Sequence, residues 1–188
     1  MQMGLVAIKF MFIFLIALER IYELLLSKRN AAKVFALGGV EHGKSHFPYM
    51  VVLHLTFFMA IPIELFWFDQ VFRIELAVLM GVISALSMGL RYWAISSLGI
   101  FWNTRVIVLP GHKAIVKGPF QWVRHPNYVA VIVEMAAIPL FYGAWRTAIL
   151  YSILNLWMLK IRISVEENAL KQHCSYDGNF SGKNAFVP

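Results

Sequence analysis

The sequence predicts an all-α integral membrane protein of about five transmembrane helices. Its N-terminus is expected outside, its C-terminus in the cytoplasm, and its last two spans as a helical hairpin. Three observations predict it. Of 188 residues, 60% are hydrophobic and only 14% charged, whereas soluble domains average roughly 45–50% apolar and about 25% charged. The apolar residues gather into five runs, each near the ~20 residues that a bilayer core requires. Finally, 13 of the 17 Lys and Arg fall in alternate regions of the chain.

The first run covers residues 4–26 and ends in Ser27-Lys28-Arg29-Asn30. It lacks a basic leader and a small-residue cleavage site, so it reads as a retained span; Lys9 within it is expected to snorkel. The second, residues 49–68, carries Pro62, an expected kink that neighbouring helices support. The third covers residues 74–98; its Gly81, Ala85 and Gly89 are spaced four apart, as in close helix packing within lipid. The fourth runs from Pro126 to near Trp145. The fifth starts at Thr147 and continues past Lys160 as an amphipathic helix toward Cys174. The connection between the last two, residues 143–146, is short enough to force an antiparallel hairpin. No strand pattern is convincing, although Arg105-Val106-Ile107-Val108 is a short candidate. The whole chain, 1–188, reads as one membrane domain.

Orientation follows from the charges. Arg20, Lys28, Arg29, Lys33 and Lys44 follow span one, and Arg105, Lys113, Lys117 and Arg124 follow span three. The tail adds Lys160, Arg162, Lys171 and Lys183, while the opposite loops hold only Arg73 and Arg146. The excess of basic residues marks the cytoplasmic side. The net charge of +7 lies between apolar runs, not on a soluble face, which points to anionic headgroups and away from nucleic acid. A single cysteine, Cys174, excludes an intrachain disulfide and a cysteine metal cluster. His42 and His46 have a metal-compatible spacing, but Gly43 interrupts it and no third ligand is evident, so no metal is expected.

Two clusters could carry chemistry. In Arg124-His125-Pro126-Asn127-Tyr128, Pro126 fits the first turn of a helix, where a missing N–H costs nothing. The helix start and its dipole, with Arg124 and His125 beside it, form a place for a carboxylate or phosphate. The same residues also suit an interfacial anchor, with Trp122 and Tyr128 in an aromatic belt. In Arg162-Ile163-Ser164-Val165-Glu166-Glu167, Arg162 and Glu166 are four apart and form a helical ion pair on the bland reading. Adjacent glutamates near anionic headgroups, however, suit a bound cation or ammonium. Within the spans, Glu134 and Arg91 are costly in lipid and are expected to pair inside the bundle; Glu64 and His54 raise the same question.

The segment Gly118-Pro119-Phe120-Gln121-Trp122 through Tyr128, followed by Arg162 to Glu167, resembles the isoprenylcysteine carboxyl methyltransferase family. That family is described by an Arg-His-Pro-x-Tyr element opening one span and a Glu-Glu element after the next. The closing residues 183–188 resemble the family's C-terminal end. Glu19-Arg20-Ile21-Tyr22-Glu23-Leu24, Gly38-Gly39-Val40-Glu41-His42-Gly43 and His46-Phe47-Pro48-Tyr49 are similar to the bacterial branch, thought to methylate alkylpyrone and alkylresorcinol lipids. Ala130 stands where many relatives have Gly.

The resemblance implies S-adenosylmethionine as methyl donor, bound by residues 99–128 and 160–188 on the cytoplasmic face of a bacterial plasma membrane. It implies Glu166 and Glu167 as partners for the ammonium of the cofactor. Arg124, His125 and Pro126 would serve its carboxylate, and Tyr128 would border the adenosine. The expected methyl acceptor is an amphipathic lipid or a prenylated substrate. Arg162 is the catalytic candidate, holding the nucleophilic oxyanion beside the sulfonium. No Gly-rich strand–turn–helix element of the soluble nucleotide-binding type is present. The competing readings are a sterol-type membrane reductase with a reduced nicotinamide cofactor, and a small transporter or scaffold with Glu134 and Arg91 lining a path.

Overall fold

The structure, a computed structural model, describes residues 2–68 and 72–173, with the side chains of the first helix from residue 11 onward. Lys9's side chain, Cys174, Lys183 and the closing residues 183–188 lie outside the described part. Five helices account for most of it: α1 (Gln2–Ala36), α2 (Phe47–Trp67), α3 (Ile74–Leu98), α4 (Pro126–Tyr142) and α5 (Trp145–His173). Three of the described helices are long and apolar enough to cross a membrane, Phe47–Trp67, Ile74–Phe101 and Trp145–His173, and Pro126–Tyr142 is a shorter apolar helix.

The molecule is not wholly helical. Strands β1 (Val40–His42) and β2 (Val106–Val108) pair antiparallel, Val40 opposite Val108 and His42 opposite Val106. The sequence pointed to β2 but not β1, because a three-residue strand has too little alternation to read. The pairing ties the loop after α1 to the loop after α3, so both basic loops lie on one side. Ala169 of α5 packs on Val106 and Val108, and the Gly111 N–H donates to the His173 carbonyl at 2.9 Å.

The first helix runs ten residues beyond its expected end at Leu26. Ser27 and Asn30, read as a charged terminus, are buried against the loop after α3. Asn30 Nδ2 donates to the Trp102 carbonyl at 2.9 Å, and the Ser27 hydroxyl donates to Asn103 Oδ1, also at 2.9 Å. Helix α2 continues through Pro62.

Helices α3 and α4 pack closely, but not through the Gly81–Ala85–Gly89 stripe. Ala85 and Gly89 are exposed, and only Gly81 approaches a neighbour, Phe141. The buried face is Ala77, Ser84, Ser87, Arg91 and Ala94, where small hydroxyl residues allow close approach and satisfy polar groups. Ser87 donates to the Ala130 carbonyl at 2.9 Å. Ala130 is fully buried there and is not among the residues lining the two cavities described below. Outward, Leu86 and Phe66 are 70% and 85% exposed, as lipid-facing residues should be.

The α4–α5 hairpin turns on Gly143 at φ 83°, ψ 8°, a left-handed helix stop that glycine adopts without strain. Glu64 reaches across from α2 to accept from the backbone N–H of Arg146 at 3.1 Å and Thr147 at 2.6 Å, which satisfies free donors of α5's first turn. Arg91 and Glu134 do pair, within a wider network. Arg20 donates to Glu134 at 2.6 Å and to Glu23 at 2.7 Å, and Arg91 lies 3.4 Å from Glu23.

Candidate functional site

The two clusters separated by some forty residues meet where α4 begins and α5 leaves the bundle. Gly118 makes the approach possible. It has φ 58°, and a Cβ there would press on Ser97 and Trp93, so only glycine fits this turn. The chain then passes through a short 3₁₀ turn, Gly118–Gln121, to His125, whose φ −128° and ψ 61° keep it out of the helical region before Pro126 opens α4.

His125 is 3% exposed and lies between the two glutamates: Nε2 is 3.2 Å from Glu167 and Nδ1 is 3.7 Å from Glu166. Arg124 lies 3.6 Å from the same Glu167 oxygen. The imidazole stacks on the Tyr128 ring at 5.3 Å and 19°. The helix start offers fewer free donors than expected, since Pro126 has none and the N–H groups of Tyr128 and Val129 already point to the His125 carbonyl.

The Arg162–Glu166 ion pair of the bland reading is absent within 4.0 Å among the described residues. Tyr128 stands between the two: Arg162 Nε donates to its phenolic oxygen at 2.7 Å, and the hydroxyl donates to Glu166. The Arg162 guanidinium also lies 5.5 Å from the Tyr128 ring centre and 2.7 Å from the Met50 sulfur. Nearby, burial first and then the Arg162 charge hold the His46 imidazole below its usual range, so it is neutral at physiological pH.

Two cavities meet at this point. One, about 160 Å³, lies under the loop after α3 and is bounded by Phe101, Ile107, Phe120, Arg124, His125 and Glu166. The other, about 380 Å³ and mostly apolar, lies between α1, α2, α4 and α5 along Leu24, Val51, Leu55, Phe58, Val131 and Leu159. They share five lining residues: Trp102, Asn103, Asn127, Tyr128 and Arg162. All seven residues expected at the site therefore lie within one small region.

Trp102, Asn103 and Asn127 were not singled out from the sequence. Asn127 occupies the variable position of the Arg-His-Pro-x-Tyr element, and Trp102 and Asn103 had no spacing signal. Asn127 Oδ1 and Trp102 Nε1 are buried without a hydrogen-bond partner among the described residues, which is costly unless a ligand supplies one. The donor set fits an adenosine that carries a free amino-acid end: carboxylates for an ammonium, a guanidinium for a carboxylate, and aromatic walls for a base.

The sequence pattern of the Isoprenylcysteine carboxyl methyltransferase (ICMT) family matches residues 77–172. The chain is 38% identical over 166 residues to the "uncharacterized protein YpbQ" of Bacillus subtilis (strain 168), covering 87% of this chain and 98% of that protein. It is 31% identical over 156 residues to an uncharacterized protein of Haemophilus influenzae, covering 80% of this chain and 88% of the other. The structure is similar to the eukaryotic intramembrane Ras methyltransferase ICMT solved without a monobody, with a TM-score of 0.61, 20% identity and 78% of this chain matched. The chain spans about half the length of that enzyme, 53%. At this identity, the likeness is one of fold.

Proposed function

This chain belongs to the isoprenylcysteine carboxyl methyltransferase family, and from that premise we propose that it is an integral membrane O-methyltransferase using S-adenosylmethionine. The acceptor is an oxygen of an amphipathic lipid: an alkylpyrone, an alkylresorcinol or a prenylcysteine carboxylate. The reading takes five spans, with the N-terminus outside and the reacting groups on the cytoplasmic face of a bacterial plasma membrane, from the distribution of Lys and Arg. The reading is carried by one observation. A cavity that Arg124, His125 and Glu166 help to line, suited to the cofactor, and a more apolar cavity suited to a lipid tail share a wall that includes Asn127, Tyr128 and Arg162.

The bound cofactor supplies an electrophilic methyl group on a sulfonium. Everything else falls to the chain. Glu166 and Glu167 hold the ammonium, with His125 oriented between them, and Arg124 holds the carboxylate. Arg162, fixed by its bond to Tyr128, holds the acceptor oxygen as an oxyanion on the apolar side. Asn127 Oδ1 lies on the shared wall, where it can accept weak C–H contacts. No general base is required if the acceptor is a carboxylate or an acidic enol, which is already ionised near neutral pH. The wall keeps the two reactants aligned for in-line displacement, and the apolar cavity draws the tail in at roughly 0.8 kcal/mol per buried methylene.

The test is incubation of the purified protein with methyl-labelled S-adenosylmethionine and a total lipid extract, followed by identification of the labelled product. Glu167→Ala is expected to weaken binding of the demethylated cofactor by about 1.5–3 kcal/mol, the scale of a charge-assisted hydrogen bond. No labelled lipid together with unchanged affinity would refute the assignment.

A further inference from the structure

Asn155 lies two helical turns before Arg162 on the same face of α5, and both line the larger cavity. It is 1% exposed, and its Nδ2 has no hydrogen-bond partner among the described residues. Its neighbours on the cavity wall include Met158, Leu159 and Val131, none of which can accept a strong hydrogen bond from the amide. An amide left bare among apolar side chains is costly, and a ligand oxygen in the cavity that Asn155 lines would remove that cost. At 1.5 Å per residue, Asn155 and Arg162 are spaced roughly 10 Å along the helix.

We propose that Asn155 donates a hydrogen bond to a second oxygen of the methyl acceptor, carried in its chain roughly 10 Å from the oxygen that is methylated. This rests on the function proposed above, in which Arg162 holds the reacting oxygen and the tail fills the apolar cavity. The acceptor is then a lipid with an oxygenated chain and not a plain alkyl tail. A site that offers a buried donor selects against the analogue lacking the acceptor atom, because that donor is left unpaired. Asn155 therefore sets specificity and takes no part in the transfer itself.

The probes are alkylpyrones with one keto oxygen moved stepwise along the chain. These isomers share a composition, so partitioning into detergent is matched. Binding to the purified full chain is measured by calorimetry, independently of turnover. One chain position is expected to bind about 5–10-fold tighter than the other isomers, with the preference lost in Asn155→Leu. Equal binding of all isomers to the wild-type chain would overturn the proposal without recourse to a variant, as would a preference that survives in Asn155→Leu. Methyl transfer is followed in parallel. A positional preference in binding with no transfer would support the Asn155 site and count against the proposed reaction, whereas transfer without any preference would do the reverse.

Discussion

Arg162 and Tyr128 are joined by a 2.7 Å hydrogen bond from the guanidinium Nε to the phenolic oxygen, and the same hydroxyl donates to Glu166. The phenol thus links a buried cation to a carboxylate that are four residues apart on one helix, across the wall between the two cavities. Were Tyr128 absent, Arg162 would lose the contact that fixes its orientation.

Tyr128→Phe tests this relation. It keeps the ring that stacks on His125 and removes only the hydroxyl. The loss of a hydrogen bond to a charged group is worth about 1.5–3 kcal/mol, so turnover is expected to fall roughly 10–100-fold. Affinity for the demethylated cofactor should move much less, because Glu167, Arg124 and His125 remain in place. An equal loss in both would make Tyr128 a cofactor contact, not a positioning group for Arg162.

The Arg91–Glu134 pair carries a stability prediction. Both residues are at most 4% exposed, and Glu134 accepts from Arg91 and Arg20 together. Glu134→Ala leaves Arg91 its 3.4 Å approach to Glu23 and the more distant Glu19, but removes the carboxylate that accepts its hydrogen bonds. Removing one partner of a buried pair typically costs about 3–5 kcal/mol, so the thermal midpoint in detergent should drop sharply. The double change Arg91→Met with Glu134→Leu is expected to recover much of the loss, since it removes the stranded charge. A double variant as unstable as Glu134→Ala would show that the network does more than balance charge.

Much of this architecture was legible because lipid writes a strong signal. The third span matched α3 at both ends, since apolar length and flanking charge are local properties. That the two clusters adjoin was not local information: the proline that opens α4 and the paired glutamates marked each one, and the family resemblance linked them. Other features that depend on contacts distant in sequence were not legible. Asn30 and Trp102 are 72 residues apart, and nothing local foretells that their contact carries α1 past its charged residues. The glycine stripe misled because small residues four apart are also tolerated on a lipid-facing surface, while Ser84 and Ser87, less apolar, formed the real contact. The Arg162–Glu166 spacing left an ion pair open for a related reason. Proximity on a helix permits an ion pair, but a third side chain can take both partners.

Sidedness yields a labelling prediction. The β1–β2 pairing places the loop holding Lys44 on the same side as the loop after α3, and Arg73 lies at the far end of α3. Lys44 has a 75% exposed side chain. In a background lacking Cys174, Lys44→Cys and Lys113→Cys should resist an impermeant thiol reagent in intact cells, while Arg73→Cys reacts. Labelling of Lys44→Cys from outside would invert the proposed orientation. Opposite behaviour of Lys44→Cys and Lys113→Cys would contradict the sheet itself.

The loop sheet also makes stability depend on pH. His42 in β1 lies 5.1 Å from the His173 ring, and its Nε2 is buried without a hydrogen-bond partner among the described residues. Burial first, and then repulsion from His173, lower its pKa in the folded chain. In the unfolded chain the value returns to about 6.5. Above that value neither state binds the proton, and stability does not vary with this group. As pH falls below it, the unfolded state takes up the proton while the folded state does not, so stability is lost until pH passes the folded value. His46 is shifted in the same direction, by burial and by Arg162, and adds a slope of the same sign. The thermal midpoint in detergent should therefore be level from about pH 8 to about pH 7 and decline toward about pH 5. His42→Gln keeps a polar side chain without a titrating proton and should flatten the decline in part, the remainder following His46. An unchanged slope in His42→Gln would mean that β1 tolerates the charged ring and that the loop sheet is open to water.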